Sequence, residues 1–105
     1  MTDARRLAEA FARELKAKHG DWIERVILFG SVARGDHGPH SDVDLLIIAR
    51  RDSLALQDEV AGAAVDLLLR TGVYVSAKVF LREEMDRVRE TLFGRAVTAE
   101  GIVIG

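Results

Sequence analysis

Apolar residues near the start of the chain recur with the period of an α-helix. Leu7, Phe11 and Leu15 stand four residues apart, and charged residues occupy the opposite face. Thr2 and Asp3 are both suitable as the N-terminal cap, and the first glycine of the chain marks the end of the pattern. The sequence therefore predicts that the chain opens with an amphipathic helix.

Two short, largely apolar runs follow this helix. Val26–Phe29 ends at a glycine, and Val43–Ala49 ends at a pair of arginines, so each run is typical of a buried strand. The segment between them, Gly30–Asp42, is rich in glycine and contains the only proline. It predicts a loop with one helical turn at its start.

The second half of the chain continues to alternate helix and strand. Leu54–Arg70 has helical periodicity, and Val73–Phe80 is a β-rich run that predicts a third strand. A further helical stripe consists of Leu81, Met85, Val88 and Leu92. The tail Ala96–Gly105 ends in three apolar residues that predict an edge strand or a docking segment. This order predicts an α/β (α+β) fold, with helices flanking a small mixed sheet.

Composition narrows the classes of protein that fit this pattern. The chain has 105 residues, of which 49% are hydrophobic and 30% charged, so we expect one packed domain over residues 1–105. It contains no cysteine, which excludes disulfides and thiolate metal sites and fits a cytoplasmic location. No apolar run is long enough to cross a membrane. The net charge of −2 argues against bulk binding of nucleic acid.

The loop that follows the first apolar run carries residues suited to binding phosphate. Gly30 allows a ligand to approach the backbone closely, and Ser31 offers an amide and a hydroxyl at the start of the predicted helical turn. Arg34 lies one turn later and can add a charge-assisted contact to the same phosphate. We therefore predict that these three residues bind a nucleotide through its phosphates.

Two acids mark the start of the second apolar run. Asp42 and Asp44 are alternate residues, so their carboxylates project from one face of the strand. Their Cα atoms are about 6.6 Å apart, and side chains at this spacing can converge on two magnesium ions roughly 3.5–4 Å apart. We therefore predict that both acids are metal ligands and catalytic residues.

Together these residues resemble a known signature. Leu28–Gly35 followed by Ser41–Leu46 is similar to the pattern of the DNA polymerase β superfamily, in which Gly-Ser is followed after ten residues by Asp-x-Asp. In its small size, the chain resembles the minimal nucleotidyltransferases. The resemblance implies a polymerase β-like nucleotidyltransferase fold, Mg²⁺ as cofactor and ATP as substrate. It also implies transfer of AMP to a hydroxyl, in particular a tyrosine of a HEPN-type toxin, with this chain as the antitoxin.

The sequence departs from that superfamily at one place. A third carboxylate normally lies on a later strand, but Val73–Phe80 contains no acid. Asp66 would supply it if its segment were a strand instead of a helix, and Glu83 and Glu84 are more distant candidates. Without this ligand, metal binding weakens and a natural general base is lost. The alternative is therefore a degenerate module that binds nucleotide or neutralises a HEPN partner by contact.

Other features of the sequence leave assembly open. Small size and an apolar tail are compatible with a homodimer or with a complex with another protein. His37 and His40 lie in the glycine-rich loop without a third ligand, so we expect both to be exposed to solvent.

Overall fold

The computed structural model describes residues 4–36, 38 and 42–105. The elements are α1 (Ala4–His19), β1 (Ile23–Phe29), α2 (Gly30–Arg34), β2 (Val43–Ala49), α3 (Ser53–Thr71), β3 (Val75–Leu81), α4 (Met85–Glu90), α5 (Leu92–Glu100) and β4 (Ile102–Val103). A 3-10 turn, Arg82–Glu84, joins β3 to α4.

The strands form one mixed sheet in the order β3-β2-β1-β4. β2 pairs in parallel with β3 and antiparallel with β1, which pairs antiparallel with β4 on its other side. β2 is thus an interior strand, and all five residues of Leu45–Ala49 are buried. This explains why Leu45–Ala49 is continuously apolar, since both faces of the strand pack against protein.

Side chains on the two faces of the sheet form two apolar cores. α1 and α3 cover one face, where Phe11 and Val60 pack against residues such as Leu45. α4 and α5 cover the other face, where Met85 and Val97 belong to the second core. The helices and the sheet therefore form layers, as the alternation of elements predicts.

The fold class and most of the predicted elements are confirmed. α1, β2 and α3 agree closely with their predicted ranges, and the loop after β1 begins with the predicted helical turn. The tail forms a two-residue edge strand, β4. Thr2 and Asp3, as well as His37 and His40, lie outside the described residues. None of the helices in the described ranges is long and apolar enough to cross a bilayer.

The helical stripe predicted from Leu81 to Leu92 is wrong at both ends. Leu81 is the last residue of β3. The chain breaks between α4 and α5 at Thr91, whose hydroxyl donates to the Val88 carbonyl at 2.6 Å and accepts from the Gly94 amide at 2.9 Å. Leu92 is consequently 84% exposed. A side chain at Gly94 would overlap the Val88 carbonyl, so glycine permits the close approach of the two short helices.

Candidate active site

The site is built around the turn at the end of β1. Gly30 has φ of +75°, a left-handed conformation that glycine adopts without a steric penalty, and the short helix α2 begins there. Phe29 pairs with Asp44 across the β1–β2 ladder, so the Gly30 turn lies beside that aspartate. A Cβ atom on Gly30 would overlap Asp44 Oδ2 and lie 3.1 Å from Asp44 Cγ. The absence of a side chain at Gly30 therefore makes room for the carboxylate.

Asp44 is half-buried, whereas Asp42 is exposed. Burial raises the pKa of Asp44, and the negative charge of Asp42 raises it further, while Lys78 and Arg34 act in the opposite direction. The effect of Asp42 on Asp44 shows that the two residues are close enough for their charges to interact. Two carboxylates that repel each other at a partly buried site favour a positively charged ligand between them.

Arg34 lies at the end of α2 and contacts two acids. Its Nε donates to Asp36 Oδ2 at 3.1 Å, and its Nη1 donates to both carboxylate oxygens of Glu100, each at 3.1 Å. The hydrogen bonds that Arg34 donates to Asp36 and Glu100, and then the charges of the two acids, raise the pKa of Arg34 above its ordinary value. Ser31 is half-buried in the same turn. The structure thus brings Gly30, Ser31, Arg34 and Asp44 together around one turn.

Sequence reasoning missed Glu100. This residue ends α5, and its Oε1 accepts a hydrogen bond of 3.1 Å from the Gly30 amide, seventy positions earlier in the chain. The approach follows from strand register: Leu28 pairs with Ile102 in an antiparallel ladder, so continuing that ladder by two residues places Gly30 opposite Glu100. Had the apolar tail been paired with β1 from the sequence, the register would have identified this acid.

β3 carries no acid at the position nearest to Asp44. Ser76 is the partner of Asp44 in the parallel β2–β3 ladder, and Lys78 is the partner of Leu46. Asp66 is exposed on α3, so the alternative that placed it on a strand is wrong. Glu84 lies after the opposite end of β3, where its carboxylate accepts from the Leu81 amide at 2.8 Å.

The donor set at this turn fits a hard divalent cation. Carboxylate oxygens are the ligands that magnesium prefers, and magnesium commonly keeps waters and shares its coordination with substrate phosphates. Within the described ranges, no group of three or more His, Cys, Asp or Glu side chains is arranged to hold a metal ion. The protein would therefore contribute the carboxylates of Asp42 and Asp44, and substrate and water would complete the shell.

Comparisons with known proteins agree with this geometry. The sequence matches the nucleotidyltransferase domain family over residues 8–98. It is 38% identical over 94 residues to MJ0604, a candidate protein adenylyltransferase of Methanocaldococcus jannaschii, and the match covers 90% of each chain.

Solved structures show the same fold at low sequence identity. A chain in a crystal structure of a toxin–antitoxin with AMP-PNP has a TM-score of 0.62 at 19% identity, covering 92% of this chain and 72% of that one. A candidate nucleotidyltransferase from Sulfolobus solfataricus has a TM-score of 0.60 at 22% identity, with 93% and 76% covered. The sequence match and the fold confirm the resemblance deduced from the Gly-Ser and Asp-x-Asp residues. The chain belongs to the nucleotidyltransferase domain family and is a transferase of that class.

Proposed function

We propose that this chain transfers AMP from ATP to a hydroxyl group of a protein. The observation that carries the proposal is the convergence of Gly30 and Arg34 with Asp44 at one turn, in a chain whose family transfers nucleotides. This turn combines donors suited to phosphate with carboxylates suited to a metal ion. Both are needed to bring a triphosphate and an acceptor hydroxyl together.

Each residue of the turn has a distinct role in this proposal. Asp42 and Asp44 hold Mg²⁺, and Arg34 contacts the triphosphate through its guanidinium. Ser31 presents its amide and hydroxyl to the triphosphate, while Gly30, whose own amide donates to Glu100, lets the phosphates approach the backbone closely. When bound, the cation neutralises the phosphate charge and makes the acceptor hydroxyl more acidic. The acceptor oxygen gives its proton to water and forms a bond to the α-phosphorus. The bond from the α-phosphorus to the oxygen that bridges to the β-phosphorus breaks, and pyrophosphate leaves with that electron pair.

The proposed acceptor is a tyrosine of a HEPN-type toxin, with this chain as its antitoxin. Two observations support this assignment: the resemblance to minimal nucleotidyltransferases, and the similarity in fold to a chain of a toxin–antitoxin structure containing AMP-PNP. A homodimer is the competing assembly. An ATP donor and a chain without cysteine also support the cytoplasm as the proposed location.

The reaction can be tested by following two labels. The purified chain is incubated with Mg²⁺ and the protein encoded beside it, using ATP labelled at either the α- or the γ-phosphate. Nucleotidyl transfer places the α label, and none of the γ label, on the acceptor, whereas phosphoryl transfer does the reverse. Intact-mass measurement counts the added groups, and peptide mapping identifies the acceptor residue. The Asp44→Ala variant is the control, and label on the acceptor in that variant would contradict the assigned role.

A second candidate function is a module that binds nucleotide or a toxin without turnover. The observation that favours it is Ser76, which pairs with Asp44 on the neighbouring strand where a third carboxylate would lie. In this case the chain would bind and neutralise its partner without adding mass to it. The Asp44→Ala variant would then retain both the complex and the neutralisation, whereas an enzyme would lose neutralisation while retaining the complex.

A further inference from the structure

The Glu100 carboxylate connects the two halves of the proposed phosphate site. Oε1 accepts from the Gly30 amide and from Arg34 Nη1, and Oε2 accepts from the same Nη1, all at 3.1 Å. The Glu100 side chain is only 24% exposed. Charge-assisted hydrogen bonds of this kind are stronger than those between neutral groups. One acid therefore restrains both the backbone of the turn and the guanidinium that follows it.

The backbone around Glu100 is itself held in place. The Gly101 amide donates to the Val97 carbonyl at 2.7 Å, and the next residue, Ile102, pairs with Leu28 of β1. A Cβ atom on Gly101 would lie 2.8 Å from a methyl carbon of Ile27, so the end of α5 packs tightly against β1. The carboxylate is thus presented from a fixed part of the fold.

The hydrogen bonds of Arg34 to described residues use two of its three guanidinium nitrogens. Nη1 donates to Glu100 and Nε donates to Asp36. A phosphate that bound through Nη2 would leave the contact between Nη1 and Glu100 in place. Because two acids already lie beside Arg34, its contribution to phosphate binding depends more on the orientation of the guanidinium than on its net charge.

We propose that Glu100 is a positioning residue of the nucleotide site, which orients Arg34 and holds the Gly30 turn in its binding conformation. This inference rests on the proposed function, because it assumes that the turn binds the phosphates of ATP. It adds a residue from the C-terminal helix α5 to a site otherwise built from β1, α2 and β2. Glu100 acts through its neighbours and has no contact with substrate.

The test measures the dissociation constant of Mg²⁺-ATP by calorimetry for the wild-type chain, E100A, E100Q, R34A and the E100A/R34A double variant. Loss of one hydrogen-bonded acid should weaken binding by about five- to tenfold in E100A. E100Q should recover most of this loss, because its amide oxygen accepts from the same donors. In the R34A background the E100A change should have a smaller effect, since only the Gly30 contact remains. Melting temperatures of all variants are recorded in parallel.

A matched control comes from another acid–arginine pair. Asp86 accepts from Arg89 at 3.0 Å on the surface of α4, and D86A should leave nucleotide affinity unchanged. A lower melting temperature in E100A with wild-type affinity would show that Glu100 is only structural and would overturn the inference.

The remaining outcomes also decide the question. Tighter binding in both E100A and E100Q would mean that the carboxylate competes with phosphate, which overturns positioning. A full effect of E100A in the R34A background would overturn action through Arg34. Wild-type protein that binds no nucleotide would overturn the proposed function together with this inference, and is thereby distinguished from failure of the inference alone.

Discussion

Replacing Gly30 with alanine separates two reasons for a glycine at the site. The first is its left-handed backbone, with φ of +75°, which a side chain disfavours by about 1–2 kcal/mol. The second is the close approach of Asp44, whose Cγ and Cβ would lie 3.1 and 3.3 Å from the new methyl group. Asp44 Oδ2 would overlap it and would have to retreat by roughly 1 Å, and a misplacement of that size can cost about 100-fold in rate.

Gly72 provides a control matched for backbone strain. Its φ is +77°, it ends α3, and a Cβ there would meet nothing within 4 Å. Gly72→Ala should therefore lose about 1–2 kcal/mol of stability, with a fall in melting temperature of about 4–8 °C per kcal/mol. Its transferase activity should remain at the wild-type level at temperatures where it is folded.

The assay combines thermal unfolding with the rate of α-label transfer for wild type, Gly30→Ala and Gly72→Ala. We expect both variants to be destabilised, but only Gly30→Ala to lose about 100-fold or more in rate. Equal rates for the two variants would refute the argument that the Gly30–Asp44 contact shapes the catalytic geometry. A Gly30→Ala variant as stable as wild type would refute the assignment of a strained backbone.

Three further changes test neighbouring features. Asp44→Asn should stabilise the metal-free chain at pH 7, because burial and Asp42 raise the pKa of Asp44 in the folded state. The free energy of unfolding of wild type then falls as pH rises from the ordinary aspartate pKa to the raised one. Denaturant titrations should therefore show that Asp44→Asn is more stable than wild type at pH 7 and that this difference disappears at acid pH. Ser76→Asp places a further acid beside Asp44 and should tighten Mg²⁺ binding about tenfold or more, because an added negative charge near the cation strengthens its attraction; calorimetry measures this. Gln57→Leu removes hydrogen bonds of 3.2 and 3.1 Å to the outer edge of β3 and should cost about 1–3 kcal/mol in chemical denaturation. Unchanged values in these measurements would contradict the respective contacts.

Local sequence was sufficient where the structure depends on neighbouring residues. β2 was predicted at its observed bounds because an interior strand is apolar on both faces. Gly30, Ser31 and the acids at 42 and 44 were found because their spacing follows from a strand, a turn and a second strand. Each of these features is determined within about fifteen residues of chain, which is the range over which periodicity and turn chemistry are informative.

The features that sequence reasoning missed depend on contacts between distant segments. Glu100 reaches Gly30 only because β4 pairs with β1 in a particular register. The prediction that the helical stripe continues to Leu92 was wrong because Thr91 caps a new helix. The spacing of three or four residues between apolar positions continues across this cap and does not reveal it. A short apolar tail does not reveal its pairing partner, so neither its register nor the acid that precedes it can be read from periodicity alone.

The fold brings several acids together at the Gly30 turn, and their repulsion has a consequence for ligand binding. The β1–β2 ladder places Asp44 beside Gly30, and the ordered end of α5 brings Glu100 to the same turn. Burial, Asp42 and Glu100 all raise the pKa of Asp44, whereas Lys78 and Arg34 only partly compensate. The fold therefore holds Asp44 where ionisation is unfavourable in the absence of a ligand. A cation bound beside Asp44 would relieve that cost, so the stability lost by the free chain would become affinity for the proposed metal ion and its nucleotide.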